Sequence, residues 1–346
     1  MKQLHASHSF ETISITVESS VIWELIVGIA GYTHDRIRHT FDLDERWTEE
    51  ENSMPQSLRD NLKFMKETNF WYGLIMLQNK LSSSSVQEFS NQLYALSSEE
   101  FYEILLPYGS RKTEAYRKEL ARNYNQKAQF KEYAKQFHSH EYLSSYVLTI
   151  ALYEQQDLCK IIHDTLDNWS NWVTCYKEWD KWTQAIFYEQ KQHRNIDLMN
   201  PVEEIQRITD GVRYLPEPSI WHIKLIPQLS YRPWTLEIRS SDTKLFFYPL
   251  NDDYLLEPGK PSQKLVRGHK ALGDELRLKL LYQLQQGPLS LQEMSTQFSI
   301  SKTTLHHQLS ILKSAKFVKV HKGIYSVNNS GIDSFSEQLQ QFLGGK

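Results

Sequence analysis

Residues 290–327 have the sequence SLQEMSTQFSISKTTLHHQLSILKSAKFVKVHKGIYSV, and this stretch decides the fold of the C-terminal part of the chain. Ser290 and Glu293 have the spacing of a capping box, which predicts a short helix that ends at the polar break around Ser299. Ser301 is then the natural N-cap of a second helix. That helix carries a row of leucines at spacings of four and three, which are Leu305, Leu309 and Leu312. The pattern predicts a helix, a turn and a helix.

The elements on either side of this helix pair complete the pattern. Before it, residues 270–286 carry an apolar helical stripe that ends at Gly287 and Pro288. After it, residues 317–327 have two short β-prone runs around a turn, which is typical of a β-hairpin. The stripe consists of Leu272, Leu276, Leu280, Leu281 and Leu284. This order of elements, together with a helix at the end of the chain, predicts a winged helix-turn-helix.

The same stretches resemble the ArsR family of bacterial repressors, over residues 271–284, residues 300–318 and the hairpin. The family pattern is matched at Ser301, Thr304, His307, Leu309, Leu312, Ala315 and Val318. The sequence departs from it at Lys316, where the family usually has glycine, and this departure concerns a turn only. The resemblance covers about a quarter of the chain. It implies that this part of the protein binds double-stranded DNA.

Charge is unevenly distributed along the chain. The whole chain has a formal net charge of −3, whereas residues 264–330 contain ten basic and three acidic residues. A basic segment attached to an acidic remainder is expected when only one part of a protein contacts a phosphate backbone. We therefore predict that residues 264–346 form the DNA-binding domain.

The second helix of such a domain enters the major groove, where its N-terminal residues meet base edges and its cationic side chains hold phosphates. The predicted contacts on this helix are Ser301, Lys302, Thr303, Thr304, His306, His307 and Ser310. Lys313, together with His321 and Lys322 in the hairpin, would extend the contact to the DNA backbone or the minor groove. The alternative interpretation is that these residues form an ordinary solvated helix face.

Metal binding and catalysis have no support in the sequence. Many ArsR relatives bind metal through a Cys-x-Cys pair on the helix before the turn, but here that helix, residues 291–298, contains no cysteine. Two pairs have metal-capable spacings, Cys159 with His163 and His138 with His140, but a buried cysteine and surface histidines are the simpler interpretation. Phosphate-binding glycine loops and known hydrolase motifs are missing. We predict no metal site, no cofactor and no enzymatic activity.

Residues 1–258 are predicted to form a separate regulatory domain, joined to the C-terminal domain by the linker EPGKPSQ at residues 257–263. Residues 141–190 contain no proline or glycine, which predicts one or two long helices. Alternating patterns predict a strand over residues 10–17 and a β segment at about residues 219–250. The predicted fold class is α+β, with a mainly helical N-terminal domain, a small β segment and a C-terminal winged helix-turn-helix.

An aromatic row in the N-terminal domain has two interpretations. Its members recur at spacings of three and four and are Trp169, Trp172, Tyr176 and Trp179. They pack in the core, or they line an apolar pocket for a small-molecule effector. Two functional hypotheses follow. The first is a dimeric DNA-binding repressor or activator whose N-terminal domain senses a small molecule or partner. The second is an N-terminal enzyme or protein-interaction module with an autoregulatory DNA-binding tail.

The last residues of the chain predict an amphipathic helix. Its apolar stripe consists of Ile332, Phe335, Leu339, Phe342 and Leu343. The ArsR resemblance implies that such terminal helices build a homodimer, which binds a pseudo-palindromic site. The longest apolar stretch near the N-terminus, residues 21–32, is shorter than the roughly 20 residues of a bilayer span, and we find no secretory signal. We expect a cytoplasmic protein without a membrane partner.

Overall fold

The computed structural model describes residues 13–193, 195–251, 254–255 and 259–344, in which helices predominate and strands form two small sheets. The predicted α+β class is confirmed. The first predicted strand is found at Ser14–Val17, and residues 10–12 lie outside the described residues. Residues 257–258 of the predicted linker also lie outside them.

Seventeen α-helices and seven strands make up the described part of the chain. The helices are α1 (Val21–Tyr32), α2 (Asp44–Glu50), α3 (Gln56–Thr68), α4 (Trp71–Leu81), α5 (Val86–Ala95), α6 (Ser98–Leu105), α7 (Glu114–Arg122), α8 (Lys127–Ala134), α9 (Leu143–Ile150), α10 (Gln155–Val173), α11 (Trp179–Gln192), α12 (Pro201–Ile208), α13 (Gln263–Leu272), α14 (Glu275–Gln286), α15 (Leu291–Phe298), α16 (Lys302–Ser314) and α17 (Asn329–Phe342). The strands are β1 (Ser14–Val17), β2 (His222–Gln228), β3 (Leu236–Arg239), β4 (Thr243–Pro249), β5 (Leu289–Ser290), β6 (Val318–His321) and β7 (Ile324–Val327).

The chain divides into two compact units, each built from three segments. The first unit consists of Met1–Ala30, Met54–Leu229 and Thr235–Pro249, and the second of Gly31–Ser53, Ser230–Trp234 and Leu250–Lys346. The boundary at residues 258–264 that we predict from composition follows the order of the chain, whereas the contacts group Gly31–Ser53 and Ser230–Trp234 with the C-terminal residues. Such long-range contacts leave no local pattern in a sequence.

The first unit contains a four-stranded sheet in the order β1, β2, β4, β3. β2 pairs in parallel with both β1 and β4, and β3 pairs antiparallel with β4. Ile223 and Leu225 of β2 and Phe246 and Tyr248 of β4 belong to one buried cluster. In β2 these residues alternate with His222 and Lys224, because successive side chains of a strand point to opposite faces. In β4 the neighbours Leu245 and Phe247 are buried as well, so both faces of this strand are covered. The three strands β2, β3 and β4 confirm the β segment predicted at residues 219–250.

The helical interval of the first unit differs from the prediction. Residues 141–190 contain not one or two long helices but α9, α10 and α11, which are separated by short turns. Turns without proline or glycine leave no marker in the sequence, so the breaks were missed. The aromatic row is consequently divided between α10, the following turn and α11, and all four of its members are buried. Cys175 in that turn is exposed, whereas Cys159 is buried.

The second unit contains the helix-turn-helix and the hairpin that the sequence predicts. The capping box before α15 is complete, since the Ser290 hydroxyl accepts from the Glu293 amide at 3.2 Å and the Glu293 carboxylate accepts from the Ser290 amide at 2.7 Å. Strand β5 pairs with β7 and extends the β6–β7 hairpin into a three-stranded sheet. The buried members of its core are Ala271, Leu280, Leu284, Met294, Leu305, Leu309, Leu312, Ala315, Phe317 and Val318.

One helix boundary in the second unit was missed. The leucine stripe predicts a single helix over residues 270–286, but α13 ends at Leu272 and α14 begins at Glu275. Asp274 is the N-cap of α14, and its carboxylate accepts a hydrogen bond from the Arg277 amide at 3.0 Å. The apolar stripe continues across this break, so periodicity alone did not reveal it.

Candidate nucleic-acid interface

Helix α16 is the element that would enter the major groove, and it begins where the sequence places its N-cap. Ser299 ends α15 in the left-handed backbone region, at φ 55°. The Ser301 hydroxyl then accepts a hydrogen bond from the Thr304 amide at 3.1 Å. The leucine row of α16 is buried in the core of the unit. The cap and the row together set which face of α16 points away from that core.

The face of α16 opposite the leucine row carries Thr303, His307 and Ser310, since an α-helix turns by about 100° per residue. This is the face that a recognition helix presents to base edges. Thr303 and His307 are exposed, but Ser310 is only 6% exposed although it points away from the core. Another part of the chain must therefore cover Ser310.

The structure divides the predicted DNA-contact residues into two groups. The exposed group consists of Ser301, Lys302, Thr303, Thr304, His306, His307, His321 and Lys322. Ser310 is buried, and Lys313 is half-buried. The first turn of α16 and the tip of the hairpin thus offer polar and basic side chains to solvent, whereas the C-terminal half of α16 does not.

The tip of the hairpin is a tight turn formed by Lys322 and Gly323. Both residues have left-handed backbone angles, with φ of 49° and 80°. Two consecutive positive φ angles are the geometry of the two-residue turns that fit the twist of a β-hairpin. The turn closes on the pair His321 and Ile324. His321 and Lys322 therefore project at the end of a short, rigid strand pair.

Residues 38–45 and Trp234, which we call the cover, lie against α16 and α13, and His39 contacts the outward face of α16. The imidazole rings of His39 and His307 are stacked with their centroids 3.9 Å apart. His39 Nε2 lies 3.2 Å from the Ser310 hydroxyl oxygen, which is hydrogen-bond distance. Burial, followed by the charge of nearby His307, lowers the pKa of His39. These contacts explain the burial of Ser310.

A second contact of the cover involves Lys313. Its Nζ lies 4.9 Å from the centroid of the Trp234 ring, within the range of a cation–π interaction. The Trp234 indole N–H donates a hydrogen bond to the Thr40 hydroxyl at 2.7 Å, which ties the two parts of the cover together. Burial lowers the pKa of Lys313. The structure therefore places Lys313 against Trp234 rather than in solvent.

Ion pairs attach the cover to helix α13. Arg267 Nη1 is paired with the Asp42 carboxylate, and Lys270 with the Glu45 carboxylate. Asp42 also lies 3.3 Å from Arg232 Nε, and the side chains of this pair are 7% and 4% exposed. Arg267 and Lys270 contribute to the basic count from which the sequence predicts DNA binding, but their charges are engaged within the chain.

Sequence reasoning missed the cover, although one signal for it was present. Residues 42–51 contain six acidic residues and one arginine. An acidic cluster of this kind complements the basic C-terminal segment. Composition can reveal that complementarity, but the pairing of these particular residues depends on the tertiary fold.

Lys316 occupies the position where the ArsR pattern has glycine, and the structure shows why glycine suits it. Its φ of 60° lies in the left-handed region that strains an L-residue with a side chain. The Phe317 amide donates to the Leu312 carbonyl at 3.0 Å, so the chain reverses at the end of α16. The replacement of the pattern's glycine by Lys316 therefore affects only this turn.

The terminal helix α17 packs one end of its apolar stripe on its own unit. The Phe335 ring lies 5.2 Å from Phe317 and 5.0 Å from His269, centroid to centroid. The other end of the stripe is open, since Phe342 is 43% and Leu343 is 72% exposed. The stripe is therefore divided between an intramolecular contact and an exposed end.

The helix-turn-helix with its hairpin and basic first turn defines a DNA-binding domain of the winged-helix class. Residues 274–320 match the family described as bacterial regulatory protein, arsR family, which confirms the resemblance of the C-terminal region. This region is a DNA-binding domain of a transcription regulator. The curated proteins and the solved structures contain no significant match to this chain. Among the described residues, no helix combines the length and apolar character needed to cross a bilayer.

The first unit contains a cleft of about 560 Å³. Its charged and titratable lining residues are Lys80, Glu100, Glu103, Tyr108, Arg117, His222, Lys224 and Asp242. Arg117 Nε pairs with Glu114 at 2.8 Å, and Lys224 Nζ pairs with Glu18 at 3.1 Å. His222 Nδ1 lies 2.7 Å from the Ser14 hydroxyl. The wall of the cleft carries both charged and apolar side chains, and the buried aromatic row does not line it.

Proposed function

We propose that the protein is a transcriptional repressor that binds a specific double-stranded DNA site as a homodimer and has no enzymatic activity. The observation that carries this proposal is the exposed N-terminal part of α16, where Lys302, Thr303 and His306 are open to solvent. Base edges are recognised by side chains at this part of a recognition helix. The hairpin tip, with His321 and Lys322, supports the proposal because it offers a second basic contact.

The repressor role rests on the resemblance to a family of repressors. The homodimer rests on the same resemblance and on the exposed end of α17, since Phe342 and Leu343 leave an apolar surface that a twin helix would bury. A two-fold dimer would bind two half-sites about one helical turn apart.

We further propose that the first unit senses a polar small molecule in its cleft. The volume of about 560 Å³ is in the range of small-molecule sites. Charged groups of both signs at its wall favour a polar effector. A cleft with such a charged wall differs from the apolar pocket that a lining of aromatic side chains would provide.

One observation favours the alternative, an enzyme in the first unit. The contact between Ser14 and His222 at 2.7 Å pairs a hydroxyl with a base. However, the Ser14 hydroxyl also lies 3.3 Å from the Trp221 carbonyl, to which it can donate. An assay with ester substrates decides between the roles, because turnover that is lost in Ser14→Ala would support the enzyme.

The proposed DNA-binding function is tested by selecting genomic fragments with the purified full-length protein. We expect enrichment of fragments that share a pseudo-palindrome, and loss of this enrichment in the triple variant Lys302→Ala, Thr303→Ala, His306→Ala. These side chains are exposed, so the variant should keep its fold. The matched control is Lys131→Ala, which removes an exposed lysine of the first unit. Identical fragments from the wild type and the triple variant would contradict the assignment of the reading face.

The repressor and effector proposals need separate measurements. Transcription in vitro from a selected fragment should fall when the protein is added, and a rise would make it an activator. A polar compound that raises the melting temperature of the protein and changes its DNA affinity would be the effector. Both effects should be lost in Lys224→Ala if the compound binds in the cleft.

A further inference from the structure

We propose that the cover, residues 38–45 and Trp234, is an autoinhibitory element that must leave helix α16 before this helix can enter the major groove. The inference rests on the proposed DNA-binding function and adds a regulatory step to it. It follows from three features of the second unit: the position of the cover on α16, its charge, and the nature of the contacts that hold it.

The position of the cover conflicts with DNA docking. The major groove of B-DNA is about 12 Å wide, which accommodates one α-helix with its side chains. The His39 ring is stacked on His307 at 3.9 Å and contacts Ser310 at 3.2 Å, so it occupies the space on the outward face that base edges would need. His39 belongs to the short 3-10 helix Arg38–Thr40. With the His39 ring in place, this face of α16 cannot reach base edges.

The charge of the cover opposes DNA in the same place. Asp42 and Glu45 pair with Arg267 and Lys270 of α13, and so replace phosphates as the partners of these cations. Residues 38–45 of the cover carry three acidic residues and one arginine. Phosphates that approach α13 would meet this negative charge, and the energy of that encounter is unfavourable. Both the shape and the charge of the cover therefore compete with DNA.

The contacts between the cover and the DNA-binding domain are suited to release. The contact of His39 with α16 is one ring stack and one hydrogen bond. The pair of Lys270 with Glu45 is mostly exposed, with side chains 59% and 80% accessible, and exposed ion pairs hold weakly. Asp42, by contrast, is buried between Arg232 and Arg267 and anchors the base of the cover. His39 can thus leave α16 together with Thr40 and Trp234, which are joined by a hydrogen bond, while Asp42 stays in place.

The apparent dissociation constant of DNA then equals the intrinsic constant divided by the fraction of molecules whose cover is open. A variant with a weaker cover should bind DNA more tightly, although it loses a side chain. We choose His39→Ala, which removes the stack and the hydrogen bond and leaves every predicted DNA-contact residue intact. The matched control is His138→Ala, an exposed histidine of the first unit.

The experiment measures the affinity of the full chain for a selected fragment by fluorescence anisotropy. Fragments are selected with the wild type and with His39→Ala in parallel. We expect His39→Ala to bind about threefold to tenfold more tightly than the wild type, and His138→Ala to bind like the wild type. An affinity of His39→Ala that equals or falls below that of the wild type would overturn the proposal.

A second measurement uses the wild type alone, so it does not depend on how the variant folds. Hydrogen exchange of residues 38–41 is followed with and without the fragment. Exchange should become faster when DNA binds, because the cover leaves α16, and unchanged or slower exchange would overturn the proposal. If neither the wild type nor His39→Ala selects any fragment, the proposed DNA-binding function fails. If the wild type binds and the cover does not respond, only the autoinhibition fails.

Discussion

The imidazole rings of His39 and His307 are stacked at 3.9 Å with an angle of 29° between their planes. His307 lies on the outward face of the recognition helix α16, and His39 comes from a segment near the other end of the chain. The same ring of His307 thus faces either its own chain or DNA, and the two contacts exclude each other. This competition makes DNA affinity sensitive to the state of a single intramolecular contact.

The stacked pair predicts how DNA affinity depends on pH. Burial and the charge of His307 lower the pKa of His39 from its ordinary value of 6.5, an effect that His306 reinforces and Asp44 opposes. A lowered pKa means that the closed cover favours neutral His39, so the closed state loses stability as pH falls below 6.5 toward the lowered pKa. The gain in DNA affinity of His39→Ala over the wild type should therefore be greatest at neutral pH and smaller at acidic pH.

This pH dependence is measured by anisotropy titrations of both proteins from about pH 5.5 to pH 8. The comparison with His39→Ala cancels every effect of pH on DNA binding that the two proteins share. A gain that stays constant over the whole range would show that His39 does not titrate with the opening of the cover.

Salt dependence should identify the lysines that contact phosphates. Lys302 at the start of α16 and Lys322 at the hairpin tip are exposed. Removing one phosphate contact lowers the slope of log affinity against log salt by about 0.9. We expect this reduction in Lys302→Ala and in Lys322→Ala, and no change in Lys131→Ala. An unchanged slope would remove the substituted lysine from the set of phosphate contacts.

Sequence preference should depend on Thr303, His306 and His307. Base contacts specify the site, whereas phosphate contacts mainly position the protein. Each lost base contact should reduce the discrimination against a mismatched base pair by about 1–3 kcal/mol, with little change in non-specific affinity. Competition between selected and mismatched fragments measures this for His306→Ala. The same discrimination as in the wild type would mean that His306 does not face the bases.

Dimer formation should depend on the exposed end of α17. Substitution of Phe335 would disturb the monomer, because Phe335 packs on Phe317 and lies against Gly268. We therefore choose Phe342→Glu with Leu343→Glu, which should convert a dimer into a monomer in analytical ultracentrifugation. A monomeric wild type would disprove the dimer. If the variant stays dimeric, the dimer interface lies elsewhere, for example at Leu278 and Tyr282, which are 50% and 70% exposed.

Restoring the family's glycine at position 316 should stabilise the second unit. Lys316 has a φ of 60°, where a side chain costs about 1–2 kcal/mol. The greater freedom of glycine in the unfolded chain offsets about 0.5–1 kcal/mol of this. We expect Lys316→Gly to raise the free energy of unfolding by about 0.5–1 kcal/mol, measured by hydrogen exchange of α16 amides. The control Lys319→Gly, within strand β6, should lower it because glycine weakens a strand.

The local elements of the DNA-binding domain could be predicted because their causes are local. The capping box of Ser290 with Glu293 and the N-cap at Ser301 involve residues three positions apart. The leucine row of α16 follows the period of the helix. Where a turn is made without proline or glycine, as between α9, α10 and α11, no such marker exists and the breaks were missed.

By itself the sequence determined the winged helix and its basic charge, because helix caps, periodicity and charge act over a few neighbouring residues, and it predicted a set of side chains for DNA contact. Only the tertiary structure decided which members of that set are open. Lys302 and His306 face solvent, while Ser310 and Lys313 lie under His39 and Trp234. The reason is physical: a contact between residues far apart in the chain is set by the packing of the whole unit, which no local pattern encodes.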